Sequence, residues 1–338
     1  MSSRFRASIV VVNYNGGDML SSCLSSVFCH TPDDVEVLVV DNSSTDGSCA
    51  TVGERFPRAR LMFAQENLGY SGGNNLGVSE SSADGVILLN NDAEVTAGWF
   101  EPLVAALTGD VVAVTSRVET DGIPAAWYEM NGTMNPLGYN IMRHFSDRTR
   151  VFYAGGTALA FRKSVTGVPF PDEYFLYQED VHLSWRLRMR GFDVRMVQAS
   201  RVVHRGSATS NRQPSRFITF YQERNRLLNL LIFHSCRTLI ALAPWLVLDA
   251  VAKLFLSMIG KGKNAGGIMQ EYWWMFSHAG WIRMERRRRR MERCIDDAKI
   301  LELMSAKLLE GDGMFSRLAE VMFSGYLRLT TQYRLSDK

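Results

Sequence analysis

From Ser8 onward the chain alternates short apolar, β-branched runs with longer stretches of helical period. SIVVVN precedes a helical segment from Asp18 to Phe28, VEVLVVD precedes a helix near Gly47 to Arg55, and RLMFA leads into a Gly/Asn-rich loop. GVILLNND, a helix from Ala97 to Leu107 and VVAVT continue the series to about Thr115. Strand, helix and strand repeated in this way predict an α/β fold, a parallel sheet with helices on both faces. In such sheets ligands bind beyond the carboxyl ends of the strands. Three polar clusters, Asn13 with Tyr14 and Asn15, Asp41 with Asn42 and Ser43, and Asn90 with Asn91 and Asp92, each stand at such an end.

Residues 116–150, with Gly122, Pro124, Gly132, Pro136 and Gly138, read as an irregular insertion or lid. VFYAGGTALAFR resumes strand character, PDEYFLYQEDVHLSWRLRMRG reads as a loop entering a helix, and FDVRMV as a strand. Beyond residue 215 the chain turns helical and very apolar. The expected organisation is an α/β domain over 1–215, carrying the 116–150 insertion, and an amphipathic, membrane-associated helical region over 216–338. The segment from Thr238 to Ile259 has the hydropathy of a transmembrane helix, but Pro244, Asp249 and Lys253 interrupt it. Asp249, Lys253, Ser257 and Lys261 recur every four residues, a polar stripe that predicts a helix lying in the membrane interface. Tyr272, Trp273, Trp274, Phe276 and Trp281 suit the headgroup level. A buried helical subdomain with a solvated charged face is the other reading of this region.

Length and composition add bounds. At ~150 residues per domain the 338 residues suggest about two domains. With 46% hydrophobic and 22% charged residues, the chain is folded rather than disordered or collagen-like. The net charge is +3, yet Arg283–Arg293 alone holds seven Arg and two Glu, a net +5. A single cationic patch of this kind points to an anionic membrane surface and argues against a nucleic-acid partner. The five cysteines show no C-x-x-C pair and predict free thiols in a reducing compartment. The apolar stretch Ile9–Val12 is too short for a signal-peptide core, which places the N-terminal part in the cytoplasm.

Chemistry concentrates in a few segments. A carboxylate at the tip of a strand, Asp41, can accept from a nucleobase N–H or a ribose hydroxyl, with Gly47 opening a helix behind it. Asp92 ends a fully apolar strand, and a Mg²⁺ or Mn²⁺ ion bridging a diphosphate needs few protein oxygens beside it. ENLGYSGGNNLG lets backbone approach a ligand closely but lacks the G-x-G-x-x-G spacing, and there is no P-loop. Glu179 and Asp180 open a helix; adjacent helical residues lie ~100° apart, so only one of them can serve as base at a given substrate atom. His204 is a candidate metal ligand.

VVVNYNGG, VVDNSSTDGS, ENLGYSGGNNLG, LLNNDAEV, PDEYFLYQEDVHLSWRLRMRG and VVHRG, in this order, resemble a family 2 glycosyltransferase of the rhamnosyltransferase-like branch, over residues 7 to about 235, which implies the GT-A fold, a Rossmann-like mixed, mainly parallel sheet flanked by helices. The resemblance implies an inverting transfer from a dTDP- or UDP-linked sugar, rhamnose or a related hexose, to a glycan or a polyprenyl-diphosphate-linked acceptor at the cytoplasmic face of the cell membrane, where the protein is peripheral. It implies Asp180 as catalytic base and Asp41 at the base or ribose. The nucleotide-sugar site would be built from Asn13, Tyr14, Asn15, Asp41, Asn67, Gly69, Asn74, Asn91 and Asp92, with Gly155, Gly156 and Glu179 at the acceptor side or positioning. A divalent metal, Mg²⁺ or Mn²⁺, would rest on Asp92 and His204. Two departures stand out: the first acid of the family's D-x-D motif is Asn90, and the acid often found two residues after the base is His182. A sugar-1-phosphate nucleotidyltransferase would need a cationic loop after the first strand, which Asn13–Gly17 lacks. A membrane-bound nucleotide- or glycan-binding protein without catalysis is the non-enzyme alternative, motivated by Asn90.

Overall fold

The computed structural model describes residues 5–120, 132–141, 149–205, 215–259, 265–308 and 313–331. The chain forms two compact units, one of residues 1–129, 147–187 and 192–212, the other of 130–146, 188–191 and 213–338.

In the first unit the described strands are β1 (Ala7–Asn13), β2 (Val35–Asp41), β3 (Ala59–Phe63), β4 (Gly85–Asn90), β5 (Ala93–Val95), β6 (Val111–Thr120), β7 (Ala158–Arg162) and β8 (Asp193–His204). They form one sheet in the order β3-β2-β1-β4-β7-β6-β8-β5. The β3-β2-β1-β4 half is parallel, β7 runs antiparallel to β4 and β6, β6 and β8 are parallel, and β5 is antiparallel to β8. The expected mixed, mainly parallel sheet is present. Its central strands β1, β2, β4 and β7 are mostly apolar because both faces are buried. Ile9, Val11, Val37, Val39, Ile87 and Leu89 point into one core with α1 (Asp18–His30), α2 (Val52–Arg55) and α4 (Phe100–Ala105). Val10, Leu38, Val40, Val86 and Leu88 point into the other, with α3 (Gly69–Glu80), the short α5 (Lys163–Thr166) and α6 (Glu179–Met189).

Several expectations change. The Gly/Asn-rich stretch is not a loop but the twelve-residue α3. Its glycines are packing positions: a Cβ on Gly77 would lie 2.3 Å from Val10 Cγ1 and one on Gly73 2.7 Å from Val12 Cγ1. Irregular backbone does not begin at 116, because β6 stays paired with β8 through Thr120. Gly122 and Pro124 lie outside the described residues, whereas 132–141 belong to the second unit. The strand begun by FDVRMV continues to His204.

The second unit holds α7 (Ser215–Phe233), α8 (Cys236–Met258), α9 (Ala265–Ser277), α10 (Ala279–Glu292), α11 (Asp297–Leu301) and α12 (Met314–Thr331). Helix α8 is long and apolar enough to cross a membrane, by length and composition only, and runs through Pro244 unbroken. Two members of its expected polar stripe face protein. Asp249 and Lys253 turn inward to Glu223 and Arg226 of α7, because charges leaving water need partners. Lys261 lies outside the described residues. The cationic run is also less free than its formal charge. Arg289 is buried against Glu285 and Glu292, Arg293 pairs with Asp297, and Arg286 donates to the Leu231 carbonyl.

Candidate active site

The parallel register sets the expected strand ends side by side. Asn13 of β1 lies opposite Asp41 of β2, and Val12 lies opposite Asn90 of β4. Asn13 is fully buried and its amide is committed within the protein. Nδ2 donates to Ser44 Oγ at 3.1 Å and Ser48 Oγ at 2.8 Å, and Oδ1 accepts from Asn91 Nδ2 at 2.8 Å. Asn13 and Asn91 thus tie the strand ends together. Asn15, left-handed at φ 54°, accepts from the Thr45 amide at 2.8 Å, and Tyr14 beside it is half-buried. Asp41 Oδ1 accepts from the Ser44 amide at 3.0 Å. Gly47 does not open a helix: at φ 74° it makes a left-handed turn, and α2 begins only at Val52. The helix expected behind Asp41 therefore does not start at Gly47.

Asn42 was not among the expected site residues and proves to be a hub. Its Nδ2 donates to Asn67 Oδ1 and the Gly69 carbonyl, both at 3.0 Å, and its Oδ1 accepts from the Leu68 amide. Asn67 also caps the Gly69 amide, while buried Asn74 donates back to the Tyr70 carbonyl within α3. Gly69 is required: its φ is 69°, and a Cβ there would meet the Phe175 carbonyl at 2.3 Å. That contact docks the loop entering α6 onto α3. The same loop holds Phe175, Tyr177 and Gln178 at φ 60°, 69° and 67°, strain of the kind that gathers at functional sites.

The loop delivers the acidic pair, and burial separates its members. Glu179 is buried with Oε2 accepting no hydrogen bond, whereas Asp180 is half-buried. Asp180 Oδ2 accepts from the Gly156 amide at 3.0 Å and Oδ1 from the Val181 amide at 2.8 Å. Burial pushes Asp180 above the ordinary carboxylate range despite these amides, and burial with the Asp180 charge pushes Glu179 well above it. Gly156 is clamped from its other side by Tyr70, whose hydroxyl donates to the Gly156 carbonyl at 2.6 Å. Burial and then the charges of Glu179, Asp180 and Asp92 hold the Tyr70 phenol far above its usual value, so it stays a donor. Gly155 accepts from Thr115 Oγ1 at 3.2 Å. His182 does not face this side: it is fully buried, with Nδ1 3.0 Å from the Tyr174 hydroxyl.

At the end of β4, Asp92 Oδ1 is buried, accepts no hydrogen bond of good geometry and lies 3.1 Å from His204 Nε2; Asn90 Oδ1 is likewise buried without a donor. The antiparallel pairing of Ala93 with His204 sets this geometry. Orphaned hard oxygens beside an imidazole suit Mg²⁺ or Mn²⁺. Among the described residues no group of three or more His, Cys, Asp or Glu could hold a metal. The donor set therefore fits a cation shared with a diphosphate, not one caged by protein alone. A cavity of 340 Å³ beside Asp92 is lined also by Asp18, Ser22, Glu94 and Arg205.

Residues 8–167 match the model of glycosyl transferase family 2. The chain carries a family 2 glycosyltransferase domain. An N-acetylglucosaminyl-diphospho-decaprenol L-rhamnosyltransferase of Mycobacterium tuberculosis is 27% identical over 249 residues, 64% of this chain and 81% of that protein. Among solved structures, a mannosyltransferase from Pyrobaculum calidifontis in complex with GDP-Man and Mn²⁺ superposes with TM-score 0.51 at 17% identity, covering 86% of each chain. GalNAc-T7 with UDP, GalNAc and Mn²⁺ superposes with TM-score 0.57 at 15% identity, covering 67% of this chain and 48% of that one. The sheet of the glycosyltransferase domain is thus of the GT-A kind.

Proposed function

We propose that the chain is an inverting glycosyltransferase that moves rhamnose or a related hexose from a dTDP- or UDP-linked donor to a hydroxyl of a glycan or polyprenyl-diphosphate-linked acceptor in cell-surface polysaccharide synthesis. The observation that carries this reading is Asp180, half-buried, held by two backbone amides and raised toward the pKa a general base needs. Asp180 takes the proton of the acceptor hydroxyl as that oxygen attacks the anomeric carbon. The bond to the diphosphate breaks on the opposite face, and the single displacement inverts the centre. Glu179 is deeper, raised by burial and by the Asp180 charge, and its burial leaves the base role to its more accessible neighbour. Asp41 and the Asn42, Asn67 and Gly69 cluster shape the nucleoside side, and Gly155 and Gly156 leave room beside the base. Asp92 and His204 would hold a divalent cation, Mg²⁺ or Mn²⁺, whose Lewis acidity neutralises charge on the diphosphate.

The rhamnosyl and lipid-linked assignments draw on the mycobacterial relative's name, and the Mn²⁺ complexes of the two structural neighbours favour a metal. A place at the cytoplasmic face of the cell membrane, on an anionic surface, accords with the apolar and cationic exposure of the second unit. Asn90, in place of the first acid of the D-x-D motif, favours the reading of a binding protein without catalysis. The test is release of nucleoside diphosphate with and without acceptor. Asp180→Asn is expected to keep donor binding and lose transfer by at least about 10²-fold. Near-normal turnover would remove Asp180 from the mechanism, and no release by the unaltered chain would favour the binding protein.

A further inference from the structure

Asp249 and Lys253 of α8 and most of its exposed apolar residues point opposite ways. Asp249 accepts from the Tyr139 hydroxyl at 2.7 Å, from Arg226 at 3.1 Å and from Lys253 at 2.9 Å, and Lys253 also reaches Glu223 at 2.6 Å. Glu223 and Arg226 are buried, and Arg226 and Lys253 lie over the Tyr139 ring at 4.3 and 5.0 Å. This cluster binds one side of α8 to the rest of the second unit. At about 100° per residue, Ile240, Val247, Val251, Leu254 and Met258 all fall within about 40° of the direction opposite Asp249. They are exposed, Ile240 by 74% and Met258 by 76%. A helix with a charged pair turned inward and a row of aliphatics outward is the reverse of a water-facing surface helix.

We infer that α8 lies flat in one leaflet of a lipid bilayer, its polar stripe docked to its own protein and its outer face among the acyl chains. This deepens the membrane-surface reading above and rests on it. The apolar surface continues onto α12, where Trp245 of α8 packs edge-on against Phe323 and Leu318 and Val321 are exposed. Helix α9 exposes Tyr272, Trp273 and Phe276, residues suited to the headgroup level. On α10, Arg283, Arg287 and Arg290 are exposed and make no ion pair among the described residues, so they complement anionic headgroups. A second copy of the chain would set the same arginines against one another across a two-fold contact. Spanning is disfavoured by the same cluster. Crossing would carry α7, with Glu223 and Arg226, into the acyl core, together with the arginine-bearing α10 that packs on it.

The test uses the full chain with vesicles of phosphatidylcholine, alone or mixed with phosphatidylglycerol, read by co-sedimentation. Binding to both is expected, tighter on the anionic mixture, with high salt removing only that increment. Val247→Glu with Val251→Glu should lower partition onto both vesicles by about tenfold or more while leaving thermal unfolding and donor hydrolysis unchanged. If that variant misfolds, Val247→Ser with Val251→Ser is read instead. Arg283→Gln, Arg287→Gln and Arg290→Gln together should lose only the anionic increment. Undiminished binding by the valine variants overturns this inference alone, and no vesicle binding by the unaltered chain overturns the membrane-surface reading with it. A dimer that the valine variants dissociate gives the face to a second copy, and resistance of the membrane-bound chain to alkaline carbonate makes α8 a spanning helix; either result overturns the inference. A chain that binds vesicles as expected but transfers no sugar supports it and sinks the activity reading.

Discussion

Gly156 is one of two residues whose amides hold the Asp180 carboxylate. Its amide donates to Asp180 Oδ2 and its carbonyl accepts from Tyr70, so a phenol on α3 fixes a carboxylate on α6 without touching it. A hydrogen bond to the charged form of a carboxyl lowers its pKa. Loosening Gly156 therefore raises Asp180 further. Tyr70→Phe is expected to lower kcat, leave donor Kd unchanged and move the acid limb of kcat/KM to higher pH; an unmoved limb would reduce Tyr70 to a packing residue. The acids and His204 were legible in the sequence because carboxylates and imidazoles at strand and helix ends carry chemistry in themselves. Tyr70 and Asn42 were not. Their importance comes from partners 86 and 25 residues away, Gly156 and Asn67, and no local spacing encodes such a distance.

At the scale of elements, α3 pits two effects against each other. Ala is a better helix former than Gly by about 0.8–1.0 kcal/mol, so Gly77→Ala would stabilise an isolated helix. Against β1, the added Cβ would sit 2.3 Å from Val10 Cγ1, and overpacking of that kind costs about 1–3 kcal/mol. The clash wins, and Gly77→Ala is expected to lower the urea midpoint with an unchanged m-value; a raised midpoint would mean that the helix can lift off the sheet without loss. Four glycines in nine residues read locally as a loop, and only the sheet beneath explains them as a helix. The central strands, by contrast, were legible, because burial on both faces demands apolar runs whatever the neighbours are, whereas the short edge strand β5 was not.

For the molecule as a whole, Glu179 ties stability to pH. Its carboxyl is raised well above the ordinary 4.5 by burial and by Asp180, so the folded chain keeps this proton to higher pH than the unfolded chain does. Stability from this group is therefore present below about 4.5 and is lost as pH rises toward the folded value. Glu179→Gln is expected to raise the thermal midpoint at neutral pH and to have little effect near pH 4. An equal shift at both pH values would mean that the proton is not the cause. By itself the sequence determined the sheet, the strand-end acids and the amphipathic character of α8, since each follows from residue type and period. Which way α8 turns was decided only by the tertiary structure. A polar stripe marks an axis on a helix without saying whether water or protein lies along it, and the buried Glu223 and Arg226 supply the charges that draw Asp249 and Lys253 inward.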